Sequence, residues 1–174
     1  LPLASSSKAV KENFRSNEFS VTRQVPYSVD NPSHEVDMVL FVNGIPFATM
    51  ELKNPWTGQT AKVHGQRQYK SRDHSQPLLQ FGRCIVHLAV DTDEVYMTTR
   101  LDDNTSFLPF NKGYNDGKGN PPVASGHKTN YLWDEVLSPE SLANIIQHFV
   151  KFDGKTTDPL TNKTLFFPRY HQLD

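Results

Sequence analysis

The stretch VDMVLFVNGIPFATMELK, residues 36–53, decides the fold. Two runs of β-forming residues, 36–42 and 45–53, flank Asn43-Gly44, the strongest short hairpin signal in the chain. The first run is apolar on both faces apart from Asp37, the pattern of a central strand covered on both sides. In the second run Glu51 and Lys53 are two apart and leave the same face. Met50 and Leu52 then point the other way, into a core.

Asp37, Glu51 and Lys53 are the residues that carry chemistry. An unpaired carboxylate in an apolar strand is costly to bury, and a cation at the sheet face removes that cost. Two carboxylates plus the backbone carbonyl of Leu52 suit a hard ion such as Mg²⁺, which prefers oxygen ligands and keeps several waters. A lysine beside them can steady a metal-bound water and the charge growing on a phosphate. Register tests this. A plain two-residue turn at Asn43-Gly44 pairs Val42 with Ile45, and therefore Asp37 with Met50, which puts Asp37 and Glu51 on opposite faces. A three-residue loop or a bulge, with Gly44 left-handed, is therefore expected. The alternative is a solvated ion pair on a strand, the commoner meaning of a loose Asp and Glu-x-Lys.

Outward from the hairpin, residues 8–14 read as the tail of a helix that starts upstream of Leu1, and residues 19–29 as a strand followed by the turn Asp30-Asn31-Pro32-Ser33. Asn54-Pro55 stops the third strand, and Thr60 caps a helix running to about Arg72. On that helix Ala61, Gly65, Gln68, Tyr69 and Arg72 share one face. Either Gln68 and Tyr69 contact the site or a nucleic-acid strand bound at it, or this is a surface helix with a tyrosine packed on the sheet. Residues 84–90 and 95–99 read as strands, 107–110 as a short edge strand and 111–130 as a loop. Ser138-Pro139-Glu140 opens a last helix with Leu142, Ile145, Ile146 and Phe149 on one face. The order points to an α/β fold, a mixed central sheet flanked by helices.

The 174 residues, 36% hydrophobic and 21% charged, fit one globular domain without a membrane span or signal peptide. A single cysteine, Cys84, makes a reducing cytoplasm the expected compartment. Net charge is −1, yet between Leu52 and Val90 the only acid is Asp73, against Lys53, Lys62, Arg67, Lys70, Arg72 and Arg83. Such a cluster is either a solvated face or a patch that tracks phosphates. Gly117-Lys118-Gly119 lacks the Ser/Thr of a phosphate loop, the histidines have no zinc spacing, and His87 reads as a hydrogen-bonded core residue.

The segment VDMVLFVNGIPFATMELKNPWTGQTAKVHGQRQYKSRD, with FGRCIVHLAVDTDEVYMTTRL, FLPFNKG, GNPP and YLWDEVL further on, resembles the nuclease domain of type I restriction enzyme endonuclease subunits, members of the PD-(D/E)xK superfamily. The resemblance implies a restriction-endonuclease-like core and ATP-dependent cleavage of unmodified double-stranded DNA away from the recognition sequence. It implies Mg²⁺ on Asp37 and Glu51, with Lys53 completing the site. It also implies an ATP-driven motor on the same polypeptide, and modification (methyltransferase) and specificity subunits as partners. The superfamily's proline before the aspartate is Val36 here. The glutamine that many relatives carry four residues before the tyrosine is Gly65, with Gln66 and Gln68 nearby. The ending FFPRYHQLD looks like the segment before the motor's ATP-binding loop. Residues 1–153 are thus expected to be the nuclease domain, lacking part of its N-terminal region, and 154–174 a linker into a motor outside this chain. A nuclease fold that docks DNA or partner subunits without cutting is the competing expectation, with a purely structural interaction domain behind it.

Overall fold

A computed structural model describes residues 7–173. The 36–53 stretch forms β2 (Glu35–Val42) and β3 (Ile45–Leu52), joined by Asn43 and Gly44. Both turn residues have positive φ, 53° and 74°, as a tight hairpin that follows strand twist requires. Val42 pairs with Ile45 and Phe41 with Pro46, but Leu40 pairs with Ala48, so Phe47 is the extra residue of a bulge. Phe47 and Ala48 consequently both enter the same core. Beyond the bulge Met38 pairs with Met50, and one further step sets Asp37 across from Glu51. The turn is the plain two-residue kind, and the bulge restores the common face.

β1 (Phe19–Pro26) lies antiparallel to β2, and β4 (Val86–Val90) lies parallel to β3 on its other side. β5 (Val95–Thr98) and the short β6 (Leu108–Pro109) complete a six-stranded mixed sheet in the order β1-β2-β3-β4-β5-β6. The parallel β3–β4 pair needs a crossover. It is supplied by a π-helical turn (Ala61–Gly65) running into α2 (Gln66–Ser71). All five residues of β4 are buried, as expected of a strand covered on both faces.

One face of the sheet packs Leu40, Met50, Leu88 and Val90 against Leu132, Val136 and α3 (Pro139–His148). Ser138 caps α3 through the Ser141 N–H, with Pro139 at the first helical position, and Leu142 and Ile145 are its buried residues. The opposite face packs Val39 and Ala89 under Ala61, Tyr69 and Leu79. It is this second face that carries Asp37 and Glu51. No helix among the described residues is long and apolar enough to cross a membrane.

Two expectations need correcting. α1 (Lys8–Arg15) begins at Lys8 and not upstream of Leu1, with Ser7 outside the helical conformation and its hydroxyl accepting from the Val10 N–H. Leu52, expected in the core, is 37% exposed, because it ends β3 where the packed layers run out. Residues 160–167, within the segment expected to be a linker, pack against the domain. β8 (Thr164–Phe166) pairs with β7 (Lys151–Asp153), Leu165 is buried, and Phe167 joins the main core. Arg100 fastens this segment by donating to the carbonyls of Thr161 and Lys163 at 2.8 and 2.9 Å. Its guanidinium also lies 3.9 Å from the centre of the Phe81 ring.

Candidate active site

Asp37 and Glu51 reach one face of the sheet because of the bulge, and Lys53 joins them from two residues further along the same chain direction. The Lys53 ammonium is 3.7 Å from Asp37 Oδ2 and 3.6 Å from Glu51 Oε2. The three groups singled out from sequence therefore converge. Their settings differ. The Asp37 side chain is 37% exposed, Lys53 8% and Glu51 not at all. Asp37 Oδ2 accepts the backbone N–H of Leu52 at 2.7 Å, which ties the carboxylate to the strand whose carbonyl was expected as a third donor. Among the described residues no third His, Cys, Asp or Glu joins them as a metal-holding group.

Glu51 is the electrostatic centre. Burial pushes its carboxyl up from 4.5 to about 7; the Arg72 guanidinium pulls it back, the Asp37 charge raises it again, and Lys53 lowers it. Arg72 pairs with Glu51 Oε1. Glu51 Oε2 is buried without a hydrogen bond.

The helical crossover explains how Lys53 and Arg72 are buried. Its first turn is wound as a π-helix, with the Gly65 N–H bonded to the Thr60 carbonyl at 3.1 Å, and Asp91 Oδ2 receives the Ala61 N–H at 2.7 Å. Gly65 sits directly on β4 and on the stem of Lys53. A Cβ there would meet Ala89 Cβ at 2.9 Å and Lys53 Cγ at 3.6 Å. No glutamine fits at this place, and Gln66 and Gln68 are half-buried beside it.

The predicted helix face is present but turned to the sheet. Ala61, Gly65, Tyr69 and Arg72 are all buried, whereas Lys62, Arg67 and Lys70 are exposed. Tyr69 is a core residue whose hydroxyl meets Thr49 Oγ1 at 2.8 Å, and burial raises its pKa well above the usual value. It has no surface to offer a DNA strand. Thr49 Oγ1 also meets His87 Nδ1 at 2.7 Å, and burial holds that imidazole neutral, its pKa pushed down to about 3. The core reading of His87 is the one the contacts support.

The sequence reading placed Arg72 with the basic residues of the helix and did not see its link to Glu51, its donation to the Glu35 carbonyl or its guanidinium lying over the Tyr27 ring. A signal existed: Arg72 shares a face with Gly65 and Tyr69, and a buried carboxylate on the opposing strand requires a counter-charge.

With this geometry in hand, the comparisons with known proteins agree on one origin. The family described as type I restriction enzyme R protein N terminus matches residues 8–106, which contain the hairpin, the three converging residues and the crossover. A Methanocaldococcus jannaschii protein named as a type I restriction enzyme endonuclease subunit, MjaIXP, is 39% identical over 79 residues. That match covers 43% of this chain and 8% of the relative, so the chain spans a small part of that protein. The chain belongs to the family of type I restriction enzyme R-protein N-terminal domains.

Proposed function

We propose that this domain is an endonuclease that hydrolyses DNA phosphodiester bonds with Mg²⁺ held by Asp37 and Glu51. The observation that carries the reading is the convergence of two carboxylates on one ammonium, 3.7 and 3.6 Å away, at the end of a sheet. The donor set fits a hard cation. It is all oxygen, Glu51 Oε2 has no hydrogen bond, and Asp37 is open to the solvent from which such an ion keeps most of its ligands. The Leu52 carbonyl lies between Glu51 and Lys53 on the chain. When bound, Mg²⁺ supplies an acidified water and neutralises charge on a phosphoryl oxygen.

The chain's own groups supply the rest. The Leu52 N–H holds the Asp37 carboxylate in place. Lys53, its stem covered by Gly65, presents an ammonium that orients a phosphate and steadies its developing charge. Lys62, Arg67 and Lys70, exposed on the crossover helix, are the side chains free to meet neighbouring phosphates. Within the complete subunit we assign cleavage to be coupled to ATP-driven translocation by a motor domain, with methyltransferase and specificity subunits as partners. The family match and the M. jannaschii relative support this.

The test is plasmid cleavage by the assembled complex with ATP and Mg²⁺. Asp37→Ala, Glu51→Ala and Lys53→Ala are each expected to abolish cutting while ATP hydrolysis persists. If all three cut like wild type, the assignment is wrong. A second reading, a nuclease fold that docks DNA without cutting, draws on the pairing of Glu51 with Arg72, which already compensates the carboxylate. It predicts that calorimetry detects no Mn²⁺ binding at Asp37 and Glu51.

A further inference from the structure

Arg72 follows the last residue of α2, and its side chain is 6% exposed. Three contacts fix it. It pairs with Glu51 Oε1, it donates from Nη2 to the Glu35 carbonyl at 2.7 Å, and its guanidinium carbon lies 4.5 Å from the centre of the Tyr27 ring. The helix end, β2, the residue following β1 and β3 are thereby pinned to one planar group. A planar guanidinium can do this, with Nη2 donating to both oxygens while the plane lies on the ring, whereas the compact ammonium of lysine has no flat face to lay on Tyr27.

Among the described residues, the buried side-chain atoms left without a hydrogen bond are Arg72 Nε and Glu51 Oε2, both in this one pair. Buried polar atoms are otherwise met, so their coincidence here calls for a cause. An arginine kept only for stability would gain from meeting its own Nε. This one satisfies one oxygen of Glu51 and leaves the other bare, on the side where Lys53 stands 3.6 Å away.

We propose that Arg72 is a positioning residue: it occupies Oε1, holds the Glu51 carboxylate in one orientation, and leaves Oε2 as the single oxygen through which Glu51 meets a divalent cation. This rests on the metal-dependent reading above. Residues that orient a ligand from behind contribute to affinity through geometry and not through contact with the metal. A role through charge alone has a different signature, because a cation beside a cation site weakens metal binding, and its removal would tighten it.

The experiment is calorimetric titration of the chain with Mn²⁺, alongside melting curves. Arg72→Lys keeps the charge and loses the planar group, and is expected to weaken Mn²⁺ binding about 10- to 100-fold, the range found for second-layer partners. In a Glu51→Gln background the same change is expected to add no further loss, since Arg72 acts through Glu51. A merely structural arginine would lower the melting temperature and leave the affinity of the folded protein alone. Wild-type affinity in Arg72→Lys, or tighter binding in Arg72→Met, overturns the proposal. If Arg72→Lys does not fold, Tyr27→Leu removes the ring beneath the guanidinium and spares the Glu51 pair. It is expected to weaken Mn²⁺ binding in the same direction, and unchanged affinity there is equally fatal. If wild type and Asp37→Ala both fail to bind Mn²⁺, the metal site itself is wrong and the proposal falls with it. That outcome is distinct from a normal wild type with an indifferent Arg72.

Discussion

The backbone N–H of Leu52 donates to Asp37 Oδ2 at 2.7 Å, so the first acidic residue of the site is held by the strand that carries the second. That bond and the metal role can be separated. Asp37→Asn keeps an oxygen able to accept from Leu52 and loses the negative charge. Stability should change by less than about 1 kcal/mol, since a hydrogen bond of this kind is retained. Cleavage by the assembled complex should fall by at least about 100-fold, the scale of losing one electrostatic contribution at a reacting centre. Near-normal cutting would remove Asp37 from the chemistry.

The pH dependence of stability carries two opposing signatures. Glu51, raised from 4.5 to about 7, binds its proton more tightly when folded, so its contribution is fully present below 4.5 and lost as pH rises to 7. His87, lowered from 6.5 to about 3, binds its proton more tightly when unfolded, so its contribution is fully present above 6.5 and lost as pH falls to 3. In metal-free buffer the two slopes, each roughly 1.4 kcal/mol per pH unit, cancel where the windows overlap. Urea unfolding should therefore show a flat wild-type profile between 4.5 and 6.5. Glu51→Gln should expose stability rising with pH there, and His87→Asn stability falling with pH. Parallel profiles in all three proteins would show that neither group is shifted as described.

Gly65 is required by space. An added Cβ would come within 2.9 Å of Ala89 Cβ, a short side chain on a central strand that cannot swing away. Gly65→Ala should destabilise the domain by about 1–3 kcal/mol, the usual range for overpacking a filled core. A chemical denaturation curve superimposable on wild type would mean that the crossover does not sit this close to β4.

Arg100 fastens the C-terminal segment through two carbonyls and the Phe81 ring. Arg100→Met should lower stability by about 0.5–1.5 kcal/mol, the net worth of hydrogen bonding to carbonyls that water can reach. Limited proteolysis should then cut first between residues 154 and 163. Unchanged cleavage sites and rates would argue that the hairpin of β7 and β8 holds this segment unaided.

Much of this molecule was legible in its residues. Asn43-Gly44 between two β runs specified the hairpin, because few residue pairs accept positive φ twice in succession. The two-residue period of a strand put Glu51 and Lys53 on one side. The demand that Asp37 join them required an irregularity in register, and that irregularity is the bulge at Phe47. Ser138-Pro139 marked the start of the last helix for similarly local reasons. Tertiary packing decided what lies further apart in the chain. Whether the face of Tyr69 and Arg72 looks toward DNA or toward the sheet depends on how closely the crossover settles on β4, and so on Gly65 and Ala89, 24 positions apart. Arg72 became the partner of Glu51 because an enclosed carboxylate has to find a cation, and only the assembled layers determine which one arrives. The packing of the C-terminal segment was not legible, because its short strands carry little periodic signal; Phe167 and Arg100 bind it to the domain through contacts that no local pattern records.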